Sequence, residues 1–244
     1  MRMSSCRRIL CDNPANTSPP EPSMSKSKSK TTATDVDWPN CQLMLVIEPG
    51  PGARERLTAA LQAADVQAVL IKPKPGDQLG AGEVKPLVDL AQDQGAAAIL
   101  FEDADLAKTL RADGIHVAPG LSVRERVTAA RAVLGTDASI GVDAGTSRHY
   151  AMEAGEAGAD YVAFGAADGS TEARTQRDEL IQWWAEIFEV PCVALDLADA
   201  DAVERADHLG ADFAALSLPA QMTVADVERL VADTGSRIAD VVTE

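Results

Sequence analysis

The 244-residue chain sets 22 Lys and Arg against 38 Asp and Glu, for a formal net charge of −16, and only 4% of its residues are aromatic. That balance argues against nucleic acid or a membrane as partner, since both need a basic or long apolar surface. A 46% hydrophobic content supplies a core built mostly from Ala, Val, Leu and Ile, and the length suits one barrel-sized domain plus a tail.

The first forty residues form a separate regime. The stretch NPANTSPPEPSMSKSKSKTTATD is rich in Ser, Pro, Thr and Lys and too poor in apolar residues to fold, so residues 1–40 are expected to be a disordered N-terminal tail. The basic start MRMSSCRRILC lacks the apolar centre of a secretory signal, and Met24 is an alternative translation start. Cys6, Cys11, Cys41 and Cys192 show neither a CxxC pair nor metal-ligand spacing, which predicts reduced thiols in a cytoplasmic protein.

From residue 41 to residue 244 a single domain is expected, in which apolar runs alternate with helix-period segments. The runs Leu43–Ile47, Gln67–Ile71, Ala97–Phe101, Gly114–Val117, Ser139–Val142, Tyr161–Phe164, Cys192–Leu195 and Phe213–Ser217 predict strands. Between them, Ala53–Ala64, Leu79–Gln94, Val123–Leu134, Arg148–Ala157, Arg177–Phe188 and Val224–Ala232 predict amphipathic helices. One unit recurs: EAGADYVAFG ending at Gly165 and HLGADFAALS ending at Ser217 each stop a helix at a Gly and begin a buried strand after Ala-Asp. Such repetition predicts an α/β fold of the (β/α)8 TIM-barrel type with a closed parallel sheet, an open doubly wound sheet being the alternative. No G-x-G-x-x-G follows the first strand, which disfavours dinucleotide binding.

ADGIHV at Ala112–Val117, IGVDAGTS at Ile140–Ser147 and EAGADYVAFG together resemble the thiamine phosphate synthase and thiazole tautomerase family, from about Leu43 to Pro219. The resemblance implies a transferase that joins an aminopyrimidine diphosphate to a thiazole phosphate and releases diphosphate, with Mg²⁺ and basic side chains stabilising the leaving group. The family's Q-x-R-x-K falls on Leu70, Lys72 and Lys74, making Lys72 and Lys74 the catalytic and phosphate-binding candidates. Its N-D pair falls on Phe101 and Glu102, making Glu102 the metal-ligand candidate; a second acid is missing, because Ala118–Arg124 contains none. Ser217 matches a phosphate-contacting serine. Asp143 replaces a serine, Arg174 is the nearest match to a lysine, and Asp196-Leu197 replaces a glycine pair whose amides approach phosphate closely. The tautomerase histidine near Thr146 is absent.

The alternative to a working transferase is a non-catalytic or repurposed barrel that binds a small phosphorylated molecule or a protein partner. Glu102 also reads as a strand-end residue capping the next helix, and Asp113 and His116 read as structural. His149 reads as surface. Trp183 and Trp184 are adjacent on a helix and cannot form one stacking platform, so one ring packs in the core. The acid run Leu195–Asp207 reads as a helix N-terminus decorated with acids.

Overall fold

The computed structural model describes residues 41–166 and 168–240. Strands and helices alternate as β1 (Gln42–Ile47), α1 (Ala53–Ala63), β2 (Ala68–Ile71), α2 (Ala81–Asp93), β3 (Ala97–Phe101), α3 (Ala104–Leu110), β4 (Gly114–Val117) and α4 (Val123–Leu134), followed by β5 (Ser139–Asp143), α5 (Arg148–Glu156), β6 (Tyr161–Phe164), α6 (Thr171–Ile187), β7 (Cys192–Leu197), α7 (Ala200–His208), β8 (Phe213–Leu218) and α8 (Val224–Asp240). Each strand pairs in parallel with the next, and β8 pairs with β1, so the sheet closes into a (β/α)8 barrel rather than an open layer. The expected tail at residues 1–40 lies outside the described residues.

The Gly-Ala-Asp repeat has a structural job. Gly158 and Gly210 end their helices at φ 85° and 86°, a conformation costly for any residue with a Cβ. The Asp that follows then clamps one residue of the preceding odd-numbered strand at both its amide and its carbonyl. Asp160 donates its N–H to the Ile140 carbonyl at 2.8 Å and accepts from the Ile140 N–H at 2.7 Å. Asp212 treats Cys192 in the same way, at 3.0 and 2.7 Å, and Asp113 treats Ala98 at 2.8 and 2.9 Å. The two Gly-Ala-Asp copies therefore fix the starts of β5 and β7 relative to the strand that follows each, and Arg111-Ala112-Asp113, with Arg111 at φ 57°, does the same for β3.

Side chains split between two apolar clusters. Outward residues such as Leu45, Leu100, Val162 and Leu216 pack against the helices, whereas Met44, Leu70, Ile99, Tyr161, Leu195 and Phe213 fill the lumen. Gly141 makes room for the largest of these: a Cβ there would lie 1.8 Å from Cζ of Tyr161. On α6, Trp184 is buried against Phe164 edge to face at 6.0 Å and donates to the Val190 carbonyl, while Trp183 sits half-buried beside Arg148, so no shared platform forms.

Many expected boundaries shift, most of them by a residue or two, and three shifts have a cause visible in the structure. α6 begins at Thr171 rather than Arg177 because Ser170 caps it, accepting from the Ala173 N–H. α8 runs on to Asp240 rather than ending at Ala232, since the stripe Val227, Val231, Thr234 stays buried. β7 reaches Leu197 rather than Leu195, with a register shift in which Ala194 pairs with Ala214 but Leu197 with Leu216. The extra residue of that bulge turns Asp196 out of the ladder at φ 57°.

Candidate active site

Glu48, Lys72, Lys74, Glu102, Asp143, Asp196 and Ser217 all lie at or just beyond the carboxyl ends of strands, at one mouth of the barrel. That is the end at which barrel loops converge on a ligand. Within this ring the side chains do different things. Lys72 is half-buried and places its ammonium 5.3 Å from the Phe101 ring centroid, a cation–π distance. Lys74, two residues along the Pro73–Pro75 loop, is exposed. Ser217 is half-buried at the end of β8, level with Val46 of β1.

Below Lys72 the lumen is floored by aromatic rings from neighbouring strands. Phe101 pairs in register with His116, His116 with Gly141 and Gly141 with Tyr161, which brings the three rings to one level. Phe101 and His116 lie 6.2 Å apart with planes inclined by 26°, and His116 and Tyr161 5.8 Å apart with planes inclined by 27°. His116 Nδ1 and the Tyr161 hydroxyl are hydrogen-bonded at 3.0 Å. Burial first, and the Lys72 charge second, push His116 down to about 3, so it is a neutral imidazole at physiological pH. Burial likewise pushes the Tyr161 hydroxyl up, with Asp143 adding to the shift. The pair is therefore a neutral hydrogen-bonded unit, a role the sequence reading as structural did not include.

Asp143 closes the ring on β5. Burial raises its carboxyl to about 6, opposed by the Gly145 N–H bonded at 2.8 Å, raised further by Asp196 and opposed again by Lys72. Asp196 uses its own carboxylate on the chain: Oδ2 accepts from the Ala166 N–H at 2.9 Å. A tethered carboxylate thus holds a backbone amide at the end of β6 where an incoming anion could otherwise bind.

Glu102 does not cap the next helix. Asp103 does, accepting from the Leu106 N–H at 2.8 Å. Glu102 instead takes the left-handed region at φ 66° and turns its carboxylate onto the Ala118 N–H and the Arg126 guanidinium, which also donates to the Ala118 carbonyl at 2.8 Å. Arg126, distant in sequence, carried no signal of this pairing. The donor set does not fit a magnesium ion held by the protein. Glu102 is neutralised by Arg126, and no three of His, Cys, Asp and Glu converge among the described residues.

A family model described as thiamine monophosphate synthase matches residues 43–218. The chain belongs to the thiamine phosphate synthase family. Curated relatives named thiamine-phosphate synthase include one from Erythrobacter litoralis, 40% identical over 174 residues that cover 68% of this chain and 80% of the relative. Another, from Rhodospirillum centenum, is 40% identical over 185 residues, covering 72% and 87%. Thiamine phosphate pyrophosphorylase of Pyrococcus furiosus superposes with a TM-score of 0.67 at 21% identity, over 82% of this chain and 96% of its own, and shares the fold. The mouth of this chain carries cations at Lys72 and Lys74, a serine at Ser217 and carboxylates at Asp143 and Asp196.

Proposed function

We propose that the chain is a transferase of the thiamine phosphate synthase type, acting in the cytoplasm on small phosphorylated substrates at the barrel mouth. In the reaction the bond from the aminopyrimidine's methylene carbon to the diphosphate oxygen breaks, its electron pair leaving on diphosphate. The lone pair of the acceptor's ring nitrogen forms the new C–N bond. Lys72 is the residue that meets the departing negative charge, and Lys74 adds charge from the adjoining loop. Phe101, half-buried at the mouth, is the ring open to a heteroaromatic substrate, and the fully buried His116–Tyr161 unit packs beneath it. Ser217 offers a hydroxyl to a phosphate oxygen. Magnesium entering with diphosphate would lie outside any cage of this chain's carboxylates, so no role is assigned to Glu102 beyond its pairing with Arg126.

The observation that carries this reading is the Lys72 ammonium at the aromatic mouth of a barrel that belongs to the family. The test is turnover of an aminopyrimidine diphosphate and a thiazole phosphate under saturating Mg²⁺. Lys72→Ala is expected to lower turnover on the order of a hundredfold with the fold intact, and Lys74→Ala, which removes an exposed amine, to lower it less. Wild-type turnover untouched by Lys72→Ala overturns the role of that lysine. Absence of wild-type turnover selects the second reading, a barrel that binds a phosphorylated molecule without chemistry. That reading is favoured by the carboxylate of Asp196 on the Ala166 amide.

A further inference from the structure

The first turn of α1 holds an uncompensated buried charge. Arg56 is only 4% exposed, yet its guanidinium makes a single hydrogen bond, from Nη1 to the Pro51 carbonyl at 3.3 Å. Its Nε and Nη2 have no partner, so no carboxylate meets either atom among the described residues. A guanidinium this deep with one long hydrogen bond and no carboxylate destabilises the fold, because its charge is desolvated with little to offset it. The two bare nitrogens form one edge of the planar group, the edge that donates to two oxygens of a phosphate or carboxylate side by side.

The surroundings suit an anion. Arg56 lies beneath the loop Pro49–Gly52 that joins β1 to α1, and its Nη1 is 3.2 Å from where a Cβ of Gly52 would be. Gly52 is the N-cap of this 11-residue helix in the left-handed conformation at φ 73°, and it brings no side chain to accept from the first-turn N–H groups. Gly50, at φ 137°, has nothing within 4 Å of its Cβ position, which leaves the loop backbone open to close approach. The loop follows the carboxyl end of β1, beside the end of β8 that carries Ser217. On the opposite flank, the amide of Ala166 is already taken by Asp196.

We infer that the β1–α1 loop and Arg56 form a phosphate subsite, with the Nε–Nη2 edge donating to two phosphate oxygens. The subsite stands whether or not the barrel catalyses transfer, and binding rather than turnover tests it. Inorganic phosphate is titrated calorimetrically into the full chain at constant ionic strength, with acetate in parallel. Phosphate binding is expected to survive Lys72→Ala, to weaken at least about tenfold in Arg56→Lys because the fork is lost, and to be lost when Arg56→Met is placed on the Lys72→Ala background. Phosphate-free Arg56→Met is also expected to melt no lower than wild type, since it removes an unpaired charge. No phosphate binding by wild type, or equal binding by Arg56→Lys, overturns the subsite. A response to acetate in place of phosphate overturns its assignment to phosphate. Should Arg56→Met fail to fold, the comparison with Arg56→Lys decides alone.

Discussion

Half-buried Asp143 at the mouth and fully buried His116 below it shape the pH dependence of the protein with opposite signs. Asp143 is raised to about 6 from 3.8, so the folded state binds its proton more tightly than the unfolded chain does. Stability from this group is fully present below the unfolded value and is lost as pH climbs towards 6, by about 2–3 kcal/mol in all. His116, lowered to about 3 from 6.5, does the reverse: the unfolded chain takes the proton first, so stability is gained as pH rises from 3 to 6.5. Asp143→Asn keeps an oxygen for the Gly145 N–H while removing the buried charge. It is expected to stabilise the fold by about 2 kcal/mol at pH 7 and hardly at all at pH 4, and to leave the His116 slope unopposed. Urea unfolding at the two pH values reads this directly; equal gains at both would mean that burial of the charge is not the cause.

The elements themselves were largely legible in the chain, and the reason lies in their burial. Parallel strands covered on both faces read as continuous apolar runs, so Ala97–Phe101, Gly114–Val117 and Tyr161–Phe164 were found to the residue. The same burial hides which side chains face the lumen: His116 and Ile115 sit in one run, and only the register of β4 against β3 and β5 sends His116 inwards beside Tyr161. Glu102 was equally opaque, because its partner Arg126 comes from α4 and is brought close only by closure of the barrel. The Gly-Ala-Asp repeat was visible as a pattern, but its purpose needed the strand clamps. Those clamps carry a prediction. Asp160→Ala strips the Ile140 amide of its acceptor and leaves Arg131, which binds Asp160 at 2.6 Å, without its carboxylate. It should cost about 2–3 kcal/mol in urea unfolding, more than Asp113→Ala, whose carboxylate meets Ala98 and the neutral amide of Gln92. The opposite order would mean that the Arg131 pair contributes little. Gly141→Ala tests the lumen in the same assay: its methyl collides with Tyr161, and overpacking of about 1–3 kcal/mol or more should accompany loss of the His116–Tyr161 bond.

At the scale of the whole molecule, closure decides which part of the chain the fold needs. β1 has β2 on one side and β8 on the other, so its ladder is complete without a strand from residues 1–40. The Cys41 N–H is already met by the Asp207 carboxylate at 3.2 Å, and Cys41 and Cys192 are buried thiols, Cys192 pushed up to about 12 chiefly by burial, which keeps them protonated and unreactive. The leading segment is rich in serine and poor in apolar residues, so it has little surface to bury on the barrel. Deleting the residues before Asp37 is therefore expected to shift the calorimetric melting temperature by less than about 2 °C. It should leave phosphate binding and turnover at wild-type levels, because every residue assigned to the mouth and to the Arg56 subsite lies within the closed barrel. A fall of many degrees on truncation would show that the leading segment stabilises the barrel. Loss of phosphate binding alone, at an unchanged melting temperature, would show instead that the segment contributes to the mouth.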